Sequence, residues 1–382
     1  MVLSEHIEQL NGNGVIKIRL DRVNASNRTH LYYLIDHGVS QKERFSGLAH
    51  VTEHACLIDE GRSGIDHFRW GCTCLSHMIL YYETKHDIQW INNIKRKMGD
   101  YTVISPRGVE IAKAEVMEES RLLKSKTHLN EKIVRFVTEG RITAFAMGES
   151  SEIQKIRYQD VLEYWEYLNC CHHIYEVLFH NRQDVESAFQ QILQSYPLSE
   201  TTHDFISNKT SDEYLILSRG ETCTLKLYIQ IPPLKDKGDY VTKAFFECYL
   251  QRLFHRHLHM DISMEDKFFS KSEKFVMLTV PRVLKGKVEF VLSEIRACVE
   301  EKSSPVDMQS QYLEFLDTIN QAISAENALD SINKYQNWLI YRKPFFSQED
   351  MAMVRSFNID MFTNMKKMLN EGVKVVATSS TS

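Results

Sequence analysis

Prolines are few, seven in 382 residues, and no tract is of low complexity, so expected disorder shrinks to residues 378–382. No run approaches the ~20 apolar residues of a membrane span, so none is predicted. The first ten residues lack both a basic and an apolar stretch, which argues against a secretory signal. Basic charge is not in surplus: 46 Lys and Arg against 51 Asp and Glu leave a net charge of −5. That balance excludes a typical nucleic-acid binder. Eight cysteines are present, but no C-x-x-C; Cys72 and Cys74 are two apart, and Cys170 and Cys171 adjacent. Reduced thiols in a cytoplasmic protein are the expectation. No G-x-S-x-G frames a nucleophile, and Asn11-Gly12-Asn13-Gly14 signals a turn, not a phosphate loop.

What is present is an ordinary globular composition, 43% hydrophobic and 25% charged, in a chain long enough for two or three domains. Alternation and helical spacing predict strands over 15–20 and 31–35, a helix from His50 to Ile58 closed by Gly61-Arg62-Ser63-Gly64, and one strand over 71–83. Helices follow over 87–98, from Pro106 to beyond Leu122, over 129–145 and over 158–168, then a strand over 174–179 and a helix over 184–195. A polar linker over 197–212 separates this from strands at 214–217 and 223–231 and a helix over 239–258. A strand over 275–280, helices over 287–301, 308–323 and 348–369, and a last strand over 373–378 complete the pattern. The expected fold is α+β: two similar halves, 1–196 and 213–382, each an antiparallel-rich sheet with helices on one face. The repetition lies in pattern and not in residue identity.

The most specific chemistry sits at His50-Val51-Thr52-Glu53-His54. On a helix His50 and His54 stand one turn apart on one face, with Glu53 beside them. Two imidazoles supply half of a tetrahedral zinc shell, and the carboxylate is placed to polarise a water in the open position. The order H-x-x-E-H is the inverzincin signature. The Pro106 helix is the natural source of a further ligand: Glu115 and Glu119 share one face and Glu118 flanks them. Carboxylates in such a run also serve as a plain solvated face.

Gly47-Leu48-Ala49-His50-x-x-Glu53-His54 resembles the zinc motif, with its lead-in, of the pitrilysin/insulin-degrading-enzyme family of metallopeptidases. His37-Gly38 with Glu43 resembles the strand and acidic loop that enter that motif. His77-Met78-Ile79-Leu80-Tyr81-Tyr82 resembles the strand after it, and Val116-Met117-Glu118-Glu119 the V-x-x-E of the third ligand. The segment from Tyr158 to Val177 is similar to the helix and strand that close the family's first domain. Together these cover about residues 14–180. The resemblance implies zinc held by His50, His54 and Glu119 (Glu118 the alternative), and Glu53 as general base. It also implies a peptide substrate paired as an added strand at Gly71, Cys72, Thr73 and Cys74.

The departures are informative. The interval from His54 to Glu119, 65 residues, is shorter than usual for the family, and Ala112 stands where a second acid is common. Glu115 is the candidate to support a ligand in its place. The family's N-A-x-T on the pairing strand is here Gly71-Cys72-Thr73-Cys74. The family's Arg followed seven residues later by Tyr has no counterpart: seven beyond Arg252 is His259, and seven beyond Arg256 is Ser263. At about half the length of the family's long single-chain members, the chain resembles the short bacterial type, similar to mitochondrial processing peptidase subunits, some of which work as pairs with zinc and substrate-holding elements on different subunits. The implied role is the zinc subunit of a heterodimeric peptidase, with leader-peptide removal in peptide natural-product maturation as a family-level function. The competing role is a non-catalytic peptide-binding or assembly subunit. Two other clusters carry less: His255, His257 and His259 diverge on a helix, and Cys170-Cys171-His172-His173 reads as a turn with buried thiols.

Overall fold

A computed structural model describes residues 5–9, 16–20, 28–39, 43–58, 67–85, 87–99, 104–171, 174–179, 211–232, 237–270, 273–302, 305–324, 328–341, 358–370 and 372–379. The chain forms two compact units: residues 1–132 with 142–200 and 327–340, and residues 133–141 with 201–326 and 341–382.

The first unit holds a six-stranded sheet of β1 (Glu5–Gln9), β2 (Ile16–Leu20), β3 (Thr29–Ile35), β4 (His67–Thr73), β5 (Met78–Thr84) and β6 (Ile174–Phe179). Their order is β1-β2-β6-β3-β5-β4, with only β2 and β6 parallel. Alternation drives it: Leu31, Tyr33 and Ile35 of β3 and Met78, Leu80 and Tyr82 of β5 are all buried on one face. Against that face pack α1 (Leu48–Leu57), α2 (Ile88–Gly99), α3 (Pro106–Val137) and α5 (Tyr158–Cys171); a single turn, α4 (Ser150–Ile153), precedes α5.

Local chemistry sets the helix ends. The Asp87 carboxylate accepts the Trp90 N–H at 2.8 Å, and Ser105 Oγ accepts the Gly108 N–H at 2.8 Å just ahead of Pro106. Gly47 precedes α1 at φ 90°, a left-handed conformation that glycine adopts without steric cost.

The second unit repeats the scheme. Its strands are β7 (Glu213–Ile216), β8 (Thr222–Gln230), β9 (Ser263–Phe268), β10 (Lys274–Leu284) and β11 (Lys374–Ser379), ordered β7-β11-β8-β10-β9. Again one pair, β7 with β11, is parallel and the rest antiparallel. Helices α6 (Lys237–Leu258), α7 (Val288–Lys302), α8 (Pro305–Ser324) and α10 (Ile359–Asn370) supply its core, while α9 (Ala328–Tyr341) belongs almost wholly to the first unit. The α+β expectation of antiparallel-rich sheets with packed helices holds. No helix among the described residues is long and apolar enough to cross a membrane.

Several expectations need correction. The single strand over 71–83 is a hairpin: β4 and β5 turn through residues 74–77, where the Cys74 N–H donates to His77 O at 2.8 Å. The helices from Pro106 and over 129–145 are one 32-residue helix, because residues 123–128 hold neither Gly nor Pro to break it. That helix stops at Val137, where Glu139 and Gly140 turn left-handed (φ 53° and 75°) and the Gly140 N–H closes on Arg135 O at 2.7 Å. Thr378 and Ser379 are ordered in β11 and not disordered. Strands β1 and β9 and helix α9 were not expected. The glycine stop at 61–64, the helix at 184–195, residues 348–357, His172, His173 and nearly all of the 197–212 linker lie outside the described residues.

Candidate metal and peptide site

α1 is hydrophobic nearly all round, with Leu48, Ala49, Val51, Ala55 and Cys56 buried in the first core. His50, Glu53 and His54 are therefore held by a helix with little freedom to move. His50 is 8% exposed and Glu53 2%. The two imidazole rings meet edge to face with centroids 4.8 Å apart, and ligand-type atoms of His50, Glu53 and His54 lie within 4.8 Å of one another.

α3 brings its carboxylates to the same place. Glu119 straddles the histidines, with Oε2 3.5 Å from His50 Nε2 and Oε1 3.6 Å from His54 Nε2. Glu115 Oε2 lies 2.9 Å from His54 Nδ1, so that ring's other nitrogen points at Glu119. Glu118 faces elsewhere: it is exposed and bonded at 2.6 and 2.7 Å to Arg121. Of the two adjacent glutamates, Glu119 is the one at the histidine pair. Ala112 is buried in the core and offers no acid there.

Electrostatics suit a cation. Burial, reinforced by His54, lowers the His50 pKa to about 3, which keeps the ring neutral, as metal ligation requires. His50 Nδ1 is buried without a hydrogen-bond partner among the described residues. Burial raises the Glu53 carboxyl to about 7, against the opposing Thr73 hydrogen bond. Ligands ~2.05 Å from a tetrahedral zinc stand roughly 3.3 Å from each other. The 3.5 and 3.6 Å separations between Glu119 and the two Nε2 atoms fit that requirement.

β4 is an edge strand and runs beside α1. Thr73 Oγ1 donates to Glu53 Oε2 at 2.8 Å, and Gly71 leaves the space that the Glu53 carboxylate fills. Because Cys74 pairs by hydrogen bond with His77, alternation turns the main-chain groups of Thr73, Gly71 and Arg69 toward the open edge. Cys72 and Cys74 are half-buried, their sulfurs 3.5 Å apart. The close fit of Gly71 under Glu53 has no signal in sequence spacing, since it depends on how near the strand passes the helix. His255, His257 and His259 are exposed.

No family model matches the chain, and no curated protein sequence matches it. Solved structures do. A protease from Helicobacter pylori superposes with TM-score 0.64 at 12% identity, covering 98% of this chain and 100% of that one. The first half of the periplasmic protease PqqL from Escherichia coli gives 0.67 at 11%, covering 99% and 92%. A peptidase M16 inactive domain from Pseudomonas fluorescens gives 0.65 at 12%, covering 100% and 98%. The fold is thus the pitrilysin-like fold of M16 peptidase domains. One of these neighbours is an inactive domain, so catalysis has to be argued from this chain's own side chains.

Proposed function

We propose that the chain is a zinc metallopeptidase subunit in which His50, His54 and Glu119 hold the metal and Glu53 is the general base. The observation that carries the reading is the convergence of both Nε2 atoms and the two Glu119 oxygens beside the buried Glu53 carboxylate. Zinc in such a shell supplies a Lewis acid and lowers the pKa of a bound water to about 7. Glu53 takes the proton of the attacking water and returns it to the leaving amine. Thr73 holds one Glu53 oxygen, which leaves the other to do that work. Glu115 accepts the His54 Nδ1 proton, fixing the tautomer that presents Nε2.

The substrate lies along β4 as an added strand, through the open-edge groups near Gly71, Cys72, Thr73 and Cys74. Strand addition needs an extended chain, so the substrates are short or unfolded peptides, and removal of a leader peptide is one such task. α6 carries Arg252 and Arg256 without a Tyr seven residues on, which supports a heterodimer whose other subunit supplies that element. A non-catalytic peptide-binding or assembly role is the second reading, favoured by that same missing pair.

Metal analysis and one variant separate the two. Purified protein should hold near one zinc per chain, lost in His50→Ala or His54→Ala; protein that takes up no zinc would sink the enzyme reading. Glu53→Gln should keep the zinc and lower peptide cleavage by about 10²–10⁴-fold. Unchanged cleavage would refute its role as base.

A further inference from the structure

Thr73, the partner of Glu53, is flanked by two thiols. Alternation along β4 puts Thr73 and Gly71 on the α1 side, and Cys72 with Trp70 on the opposite face. Cys74 opens the hairpin, and its sulfur is 3.5 Å from that of Cys72. Both lie beside the Tyr32 hydroxyl, whose proton burial and the two thiols together retain. Its hydroxyl donates to Gln336 of α9 at 2.6 Å, so this wall of the thiol pair is fixed.

A disulfide needs the sulfurs at about 2.05 Å and Cα atoms within about 4.4–6.8 Å. Residues two apart in a strand are about 6.6–6.8 Å apart, at the upper edge of that range. Closing the bridge therefore draws residues 72 and 74 together and buckles the chain at Thr73. The strand tolerates this, because β4 is free on one edge and Cys74 stands outside its last ladder pair.

We propose that Cys72 and Cys74 form a reversible disulfide that pulls Thr73 off Glu53 and switches the site off; the switching half of this statement rests on the peptidase reading above. The oxidant is a small-molecule disulfide such as glutathione disulfide. The Cys72 thiolate attacks one of its sulfurs, forming a mixed disulfide and releasing one glutathione thiolate. The Cys74 thiolate then attacks Cys72 Sγ and releases the second, so the two protein thiols are oxidised as one disulfide is reduced to two thiols. The two sulfurs share a hydrogen bond that either can donate, so the thiolate that accepts it is favoured while its neighbour keeps its proton until the first has reacted. We take Cys72, whose thiol this bond holds below the ordinary cysteine range, as the first attacker. A bridge at the edge of permissible geometry is easily reduced, as a switch requires.

The test equilibrates the full chain in glutathione redox buffers, blocks free thiols and maps them by mass spectrometry, with peptide cleavage and amide exchange at residues 71–73 read in parallel. The expected result is a Cys72–Cys74 bridge removed by dithiothreitol, faster exchange at 71–73, and at least a tenfold lower cleavage rate than in the same protein reduced. Cys74→Ser should accumulate glutathione on Cys72. The double variant Cys72→Ser/Cys74→Ser, whatever its own rate, should show the same rate in oxidising and reducing buffer. Two free thiols in oxidising buffer, or glutathione left on wild-type Cys72, would overturn the bridge. A bridge with unaltered exchange and cleavage would overturn the switch. A bridge with faster exchange in a chain that cleaves nothing even when reduced would sustain the thiol site and count against the peptidase reading.

Discussion

Gly71→Ala probes the proposed catalytic geometry with one methyl group. Built on the existing backbone, the new Cβ lies 2.7 Å from Leu57 Cδ1 and 2.9 Å from the Glu53 carboxyl carbon. Carbon atoms in contact normally stand about 3.5–4.0 Å apart, so Glu53 must retreat by roughly 0.6–1 Å. Gly71 is not among the glycines with positive φ, so alanine meets no backbone strain and the whole effect is this displacement. A misplacement of about 1 Å costs on the order of 10²-fold in rate, or about 2.7 kcal/mol of transition-state stabilisation. The assay is kcat/KM on a quenched fluorescent peptide, with zinc measured on the same samples. The Glu53 and Leu57 side chains should give way while the helix stays, because α1 is anchored in the core by Val51 and Ala55, and the zinc content should hold. A kcat/KM within threefold of wild type at full zinc loading would refute the placement of Glu53 against this strand.

Two further outcomes follow from contacts on α3 and α6. Glu115→Ala should weaken zinc binding by about 10–100-fold through the loss of the His54 partner, whereas Glu118→Ala, which loses its bonds to Arg121, should leave zinc affinity unchanged in a competitive chelator titration. Lys243→Met removes a fully buried cation from two half-buried carboxylates, Asp266 and Glu247, and should lower unfolding free energy by up to about 3 kcal/mol in urea; a loss under about 1 kcal/mol would contradict that pairing.

The site was legible where its chemistry is local. His50, Glu53 and His54 lie within one helical turn, so spacing alone places them together. Glu119 against Glu118 was not decidable by spacing, since adjacent positions on α3 differ by about 100° in direction and the choice depends on how α3 is turned against α1. The Arg121 pair at Glu118, three residues on, is a local feature that points the same way. The β4–β5 hairpin was hidden because Cys-Thr-Cys-Leu reads as continuing strand, and its turn holds no Gly, Pro or Asn. β9, Ser-Met-Glu-Asp-Lys-Phe, is polar because it is an edge strand with one face toward water. α9 carries helical spacing through Ile332, Tyr335 and Leu339, yet nothing in that spacing tells that it joins the first unit. Pattern reports which face is buried and not against what.

Among the described residues only the first unit carries a cluster such as His50, Glu53 and His54, although the two sheets share one strand order. In each sheet the last strand lies parallel beside an early one, β6 beside β2 and β11 beside β7, and is followed by two antiparallel neighbours and an edge strand; β1 is an addition of the first sheet alone. By that order α6 answers to α1, and β9 to β4. In the first unit the helix-to-edge link is Glu53 to Thr73, a carboxylate held by a neutral hydroxyl. In the second it is Lys243 to Asp266, with Glu247 at 2.8 Å on the same ammonium. Burial alone would lower the Lys243 pKa, but Glu247 and Asp266 outweigh it and raise it, so the cation stays charged. A neutral hydroxyl leaves Glu53 with proton-accepting capacity to spare, and burial keeps that capacity poised near neutral pH. A buried ammonium between two carboxylates has none to spare: its charge is already matched, and breaking the match costs more than any ligand there would return. Under the proposed function the same scaffold position is reactive in one half and a structural tie in the other, which is why removing Lys243 should register in stability while removing Glu53 should register in catalysis.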